Sequence, residues 1–207
     1  MTERVKLVAS GCGKAGGLFV MKALADPEVE IVGILEAETS NLVNMRLDGV
    51  FVSGDPEIIG KADVVVEFST KSAVLEHASI VAALGPSGPS WLICTTGIEE
   101  DPEAMAQLQK VAEETFVMLA PNATLGMNVM FVFVPLMLNV LGLAGWKAVG
   151  HEVHHDRKDP TKPSGTAVAL DKRAQKVAGI EIPFSWSRIL DVVGDHRTIM
   201  LVRLAKG

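Results

Sequence analysis

Cysteine is nearly absent: Cys12 and Cys94 are the only two in 207 residues, too few for a disulfide framework. Aromatic residues make up only 5% of the chain. Positive charge is scarce as well. Nineteen Lys and Arg against 25 Asp and Glu give a net charge of -6, and no Lys/Arg cluster offers the basic face that phosphate backbones need. A nucleic-acid partner is therefore excluded. There is no internal repeat and no low-complexity tract, and 48% hydrophobic residues can fill a real core, so a disordered tail is excluded too. The opening Met-Thr-Glu-Arg-Val-Lys-Leu runs straight into a strand-like segment rather than an export signal, which predicts a cytoplasmic protein. One long apolar run exists, Met127 to Gly145, interrupted by Asn128, Pro135 and Asn139. Its mid-segment proline and two amides argue against a membrane span and for a helix buried on most sides, at a subunit interface.

What is present alternates strand-like and helical patterns. Arg4–Ala9, Val29–Leu35, Asp63–Phe68, Trp91–Cys94 and Thr115–Leu119 read as strands. Ala15–Ala25, Lys71–Leu84 and Pro102–Glu114 read as helices, the last with Asp101 as N-cap and proline at its first position. Runs such as Val64-Val65-Val66 suit strands covered on both faces, which predicts an α/β fold with a Rossmann-type, doubly wound parallel sheet. After Asn122 the rhythm changes: the apolar helix, a strand over Lys147–His155, a helix over Thr166–Ala178, and strand-like Phe184–Leu190 and Arg197–Leu204. The expected division is a dinucleotide-binding domain over 1–122 and a second, smaller α+β domain over 123–207, for substrate binding and oligomerisation.

Gly11-Cys12-Gly13-Lys14-Ala15-Gly16 matches Gly-x-Gly-x-x-Gly between the first strand and the first helix. The glycines serve a tight turn, close approach to a diphosphate and helix–strand packing, while the helix start offers free N–H groups to the phosphates. Glu36, 20 residues beyond Gly16 at the end of the second strand, is placed to accept from ribose hydroxyls. A carboxylate there repels a 2′-phosphate and Ala37 follows it, so NADH is preferred over NADPH; Lys14 and Arg46 are the cations that could soften the preference. The strand ends Phe68-Ser69-Thr70, Cys94-Thr95-Thr96 and Ala120-Pro121-Asn122-Ala123 lie where a parallel sheet binds its ligand, and complete the predicted cofactor set.

The sharpest feature runs from His151 to Thr166: His-Glu-Val-His-His-Asp-Arg-Lys-Asp-Pro-Thr-Lys-Pro-Ser-Gly-Thr. On a strand His154 and His155 point to opposite faces and no cysteine is near, so metal binding is the lesser reading and no metal is expected. Pro163-Ser164-Gly165-Thr166 opens a helix and makes an anion site that suits a carboxylate, with Lys158 and Lys162 as cationic donors on the same loop. A histidine or lysine beside it is a reasonable proton source. The pattern predicts a small dicarboxylate ligand.

With these residues the chain resembles the 4-hydroxy-tetrahydrodipicolinate reductase (dihydrodipicolinate reductase) family of lysine and diaminopimelate biosynthesis. The likeness runs through the glycine loop, Glu36, Thr95-Thr96-Gly97, Pro121-Asn122, Gly126-Met127-Asn128-Val129, Glu152-Val153-His154-His155, Lys158, Pro163-Ser164-Gly165-Thr166 and Asp191-Val192-Val193-Gly194-Asp195-His196. The resemblance implies an oxidoreductase that moves a hydride from NAD(P)H to a cyclic imine-type dicarboxylate, with loss of water, giving tetrahydrodipicolinate. By position it implies His154 as proton donor and Lys158 as its partner, with His155, Ser164, Gly165 and Thr166 holding the substrate. It also implies a homo-oligomer, a tetramer or a dimer built through the smaller domain, and against the family the chain reads as a variant shortened after Gly207. Two alternatives stay open: a related amino- or imino-acid dehydrogenase, and an NAD-binding sensor or assembly protein without full catalysis.

Overall fold

The computed structural model describes residues 3–156, 158–192 and 194–201. The chain divides into two compact units, Met1–Pro121 and Asn122–Gly207.

In the first unit, β1 (Val5–Ser10), β2 (Val29–Leu35), β5 (Val64–Glu67), β6 (Ser90–Ile93) and β7 (Val117–Leu119) form parallel ladders. Two short strands that the sequence patterns did not announce, β3 (Arg46–Leu47) and β4 (Val50–Ser53), complete the edge, and only their mutual pairing is antiparallel. The order is β3-β4-β2-β1-β5-β6-β7, a Rossmann-type arrangement with β1 near the middle. The sheet is covered on both faces, as its valine runs predicted. On one face α2 (Lys71–Leu84), α3 (Pro102–Val111) and the 3-10 turn Pro56–Lys61 bury Val8, Val65, Trp91 and Ile93. On the other, α1 (Lys14–Leu24) packs Val20 over Leu7, Ala9, Ile34 and Val66. Asp101 caps α3 as expected, accepting from the N–H groups of Glu103 and Ala104 at 3.0 and 3.1 Å.

The second unit has a three-stranded sheet ordered β10-β8-β9, built from β8 (Lys147–His154), β9 (Phe184–Arg188) and β10 (Asp195–Leu201). β8 and β9 are parallel and are joined through α5 (Gly165–Ala178); β10 lies antiparallel to β8 at an edge of the sheet. The expected strand beyond Leu201, to Leu204, falls outside the described residues. Along β8 burial alternates strictly, with Ala148, Gly150, Glu152 and His154 facing inward. Ala148 belongs to the apolar core with Leu170 and Ala174 of α5, and Gly150 leaves room for the Phe184 ring, which a Cβ would meet at 2.2 Å. The same inward face then turns polar.

The apolar helix is α4 (Leu125–Gly142), and it corrects one expectation. It is not buried on most sides within the unit. One stripe, Met127, Phe131, Val134 and Leu138, enters the core, at the 4-3-4 spacing of a single helix face. Val132, Phe133, Leu136 and Val140 on the outer face are about half exposed or more. By length and composition α4 could also cross a membrane, but its inner stripe is the core of this unit.

Candidate functional sites

In the first unit the carboxyl ends of β1, β2 and β5 border a cavity of about 660 Å³. Gly11, Gly13, Glu36, Phe68, Ser69 and Thr70 from the predicted set line it. Gly11 takes a φ of +82° and sits so close to Phe68 that a Cβ would lie 2.8 Å from its carbonyl carbon. Gly16 packs against Gly11, where a Cβ would fall 1.8 Å from the Gly11 oxygen. At Gly13 a Cβ would meet nothing within 4 Å. This glycine caps α1 without a side-chain bond, and the first turn carries no acidic residue. The combination leaves helix-start N–H groups open to an anion. Cys12 donates its backbone N–H to Glu36 Oε1, which ties the acid to the glycine loop. Lys14 and Ala15 are exposed at the start of α1, and burial, then Glu36, pushes the Cys12 thiol up.

The remaining predicted cofactor residues fall beside or beyond this wall. Cys94 and Thr95 are buried at the end of β6, where Thr95 Oγ1 donates to the Ser69 carbonyl at 3.1 Å; Thr96 is exposed next to them. Ala120 and Pro121 follow β7, half-buried. Asn122 and Ala123 belong to the second unit, where Asn122 Oδ1 accepts from Thr124 N–H at 3.0 Å. Sequence reasoning passed over Ser10, Glu38 and His77, which also line the cavity. Just behind it lies Glu67, fully buried, with its Oε2 2.9 Å from His77 Nδ1. Burial pushes the Glu67 carboxyl up, but the His77 hydrogen bond and charge, with Ser10 and Ser69, bring it net below its ordinary value. Arg46, the cation that could have greeted a 2′-phosphate, spends Nη1 on the Gly49 carbonyl at 2.7 Å in the β3–β4 turn.

The second unit gathers its polar groups around Glu152, which is fully buried. Its Oε1 accepts from the Ser164 N–H at 2.8 Å and from Arg188 Nη1 at 3.3 Å. Its Oε2 accepts from the Ser164 hydroxyl, with His196 Nε2 at 3.3 Å and His154 Nε2 at 3.6 Å. Burial pushes this carboxyl up, and the two Ser164 bonds and the neighbouring imidazoles return it to below the usual glutamate value. Ser164 caps α5, its Oγ accepting from the Ala167 N–H at 3.2 Å, so Gly165 and Thr166 form the first turn of that helix. The helix start predicted from Pro163-Ser164-Gly165-Thr166 is thus fixed to β8 by a carboxylate.

His154 is 8% exposed, and burial, followed by the Lys158 charge, pushes it down to about 4. At neutral pH its ring is uncharged. Lys158 is half-buried and is also pushed down by burial. His155 follows the last residue of β8, its ring centroid 6.4 Å from that of His154, and its buried Nδ1 has no hydrogen-bond partner among the described residues. Lys162 is exposed, its Nζ 3.7 Å from Asp159. Arg188 at the end of β9 donates from Nε to the Asp159 carbonyl at 3.0 Å and from Nη2 to the Lys162 carbonyl at 2.8 Å, clamping the loop. Glu152, Arg188 and His196 were given no role by sequence reasoning. The signal for Glu152 lay in the i, i+2 spacing to His154, since two polar residues on an inward strand face require partners.

Residues 5–123 match the family model described as dihydrodipicolinate reductase, N-terminus. The 4-hydroxy-tetrahydrodipicolinate reductase of Anaeromyxobacter dehalogenans is 31% identical over 185 residues, covering 84% of this chain and 66% of that relative. The chain thus spans just under two thirds of that relative's length. The reductase of the same name from Methanopyrus kandleri is 29% identical over 225 aligned positions, covering 94% and 80%. Among solved structures, a dipicolinate-bound dihydrodipicolinate reductase from Paenisporosarcina sp. TG-14 superposes with a TM-score of 0.73 at 20% identity, covering 97% of this chain and 88% of that one.

Proposed function

The chain belongs to the dihydrodipicolinate reductase family, and from that membership we propose that it reduces 4-hydroxy-tetrahydrodipicolinate to tetrahydrodipicolinate. In this reaction the nicotinamide cofactor, when bound, supplies a hydride; a proton is taken up and the 4-hydroxyl leaves as water. The observation that carries the reading is the buried bond from Ser164 N–H to Glu152 Oε1. It holds an anion-accepting helix start and the His154 strand as one rigid group.

The first unit holds the dinucleotide. Gly11, Cys12, Gly13, Lys14, Ala15 and Gly16 take the diphosphate at the α1 start, and Glu36 takes the ribose hydroxyls. Phe68, Ser69, Thr70, Cys94, Thr95, Thr96, Ala120 and Pro121 make up the nicotinamide end, and Asn122 and Ala123, the next two residues of the chain, complete the proposed set. The residues present fit this group, since the Gly13 cradle is open and the first turn of α1 carries no competing acid. NADH is preferred to NADPH because Glu36 and Glu38 both line the cavity while Arg46 is held by Gly49.

The second unit holds the dicarboxylate. His155, Ser164, Gly165 and Thr166 take its carboxylates, the last two through helix-start N–H groups. His154 passes a proton to the reacting ring and Lys158 supports the exchange. A neutral imidazole beside two cations carries no proton to give; the two negative charges of the substrate offset Lys158 and Arg188 and raise its proton affinity. Proton transfer is thus coupled to substrate binding. The protein acts in the cytoplasm as a homo-oligomer joined through the outer face of α4, an apolar patch that water-exposed monomers rarely keep.

The test is NADH oxidation with freshly generated hydroxy-tetrahydrodipicolinate, with and without pyridine-2,6-dicarboxylate. Turnover that this diacid inhibits competitively is expected. No turnover with either NADH or NADPH, or turnover only with other imino acids, overturns the assignment.

A further inference from the structure

We propose that Glu152, His154 and His196 form a binding site for a divalent transition metal ion of the zinc type. The three come together through strand geometry. Glu152 and His154 are i and i+2 on the inward face of β8, and the antiparallel register of β10 sets His196 directly opposite Glu152. Their facing atoms make a nearly equilateral triangle: His154 Nε2 to His196 Nε2 is 3.3 Å, His196 Nε2 to Glu152 Oε2 is 3.3 Å, and His154 Nε2 to Glu152 Oε2 is 3.6 Å. A tetrahedral zinc ion with bonds of about 2.0–2.1 Å separates its ligands by about 3.3–3.4 Å, so the triangle has the dimensions of one face of that tetrahedron.

The donor set is right as well. Two imidazoles and a carboxylate, without thiolate, suit zinc and its borderline neighbours and leave a fourth position for water or an anion. The carboxylate is oriented from behind, since Ser164 N–H and Arg188 hold Oε1 while Ser164 Oγ braces Oε2. The backbone has been cleared for the His154 ring too. Gly194 takes a φ of +145°, and a Cβ there would lie 2.9 Å from His154 Cε1. The adjacent histidine in sequence, His155, takes no part.

The site stands on the geometry of the second unit alone. Its consequence rests on the proposed reduction: an ion on His154 Nε2 occupies the lone pair with which that ring would accept a proton, so occupancy inhibits turnover.

The experiment titrates the untagged, metal-free full chain with Co2+, in the absence of NADH and diacid, and follows visible absorption. One cobalt per chain with the intense bands of four-coordinate Co2+, displaced by Zn2+, is expected. His196→Ala should weaken Zn2+ binding more than about 100-fold, beyond the 10–100-fold that loss of a supporting residue costs, while His151→Ala leaves it unchanged. X-ray absorption at the zinc edge of the unmutated protein should show two imidazoles and one carboxylate. Pale six-coordinate cobalt spectra, unchanged affinity in His196→Ala, or an edge spectrum without two imidazoles overturns the proposal. Because binding is read without substrate, a chain that binds cobalt but reduces nothing loses only the functional assignment. An active reductase that ignores cobalt loses only this site.

Discussion

Ser164 and Glu152 are joined twice, by backbone N–H and by hydroxyl, although they lie on different elements with the whole His155–Pro163 loop between them. The pairing closes that loop against β8 and makes Glu152 the centre on which the polar face of the second unit depends. Glu152→Gln keeps the shape but removes the charge that Arg188 and the two imidazoles face. Because it leaves Arg188 with an unmatched charge in a buried setting, it should cost about 3 kcal/mol. A lower denaturant midpoint at unchanged slope checks this.

His154→Gln should lower kcat by about 10²–10⁴, the usual range for a lost proton carrier. The dissociation constant for NADH, followed by fluorescence titration, should stay within error. Equal loss of both would assign His154 a folding role instead.

Glu36→Ala removes a charged acceptor from the ribose position. Losing such a bond costs about 1.5–3 kcal/mol, or about tenfold to a hundredfold in NADH affinity. NADPH should lose less, since the repulsion on its 2′-phosphate goes too. Comparing kcat/KM for the two cofactors in wild type and variant measures the switch.

The Glu67–His77 pair gives the first unit a sensitivity to acid. Glu67 has its folded value below its ordinary one, so it binds a proton less readily when folded than when unfolded. Its stabilisation is fully present above the unfolded value, near 4.5, and is lost as pH falls through the folded value. Thermal melts across the acid range should show this slope, and Glu67→Gln should flatten it.

Phe133→Glu places a charge on the exposed outer face of α4, where Phe133 is 57% exposed. Light scattering should show the wild type as an oligomer and the variant as a smaller species. A wild-type monomer at working concentration would remove the oligomer from the proposal.

Much of the first unit was legible because its signals are local. A parallel strand buried on both faces announces itself as Val64-Val65-Val66, a cap as Asp101-Pro102, and a tight strand-to-helix turn as three glycines whose spacing matches the contacts of Gly11 and Gly16. The short strands β3 and β4 carry too few residues for any period to emerge, and they form because Val52 fits against Ile34. In the second unit the helix start at Ser164 was readable from Pro-Ser-Gly-Thr, but its attachment to Glu152 was not. Long-range partners such as Arg188 and His196 depend on strand register, which local pattern does not encode. α4 misled for a related reason: uniform apolarity fixes that a helix will be buried somewhere, not which side its own unit covers.

Trp186 on β9 donates its indole N–H to the Pro160 carbonyl, at the tip of the loop that bears Lys158 and Lys162. If the proposed diacid rearranges that loop on binding, this bond would change and indole emission with it. Fluorescence from this side chain, isolated by replacing Trp91 and Trp146 with phenylalanine, would therefore time ligand capture separately from the redox step that follows.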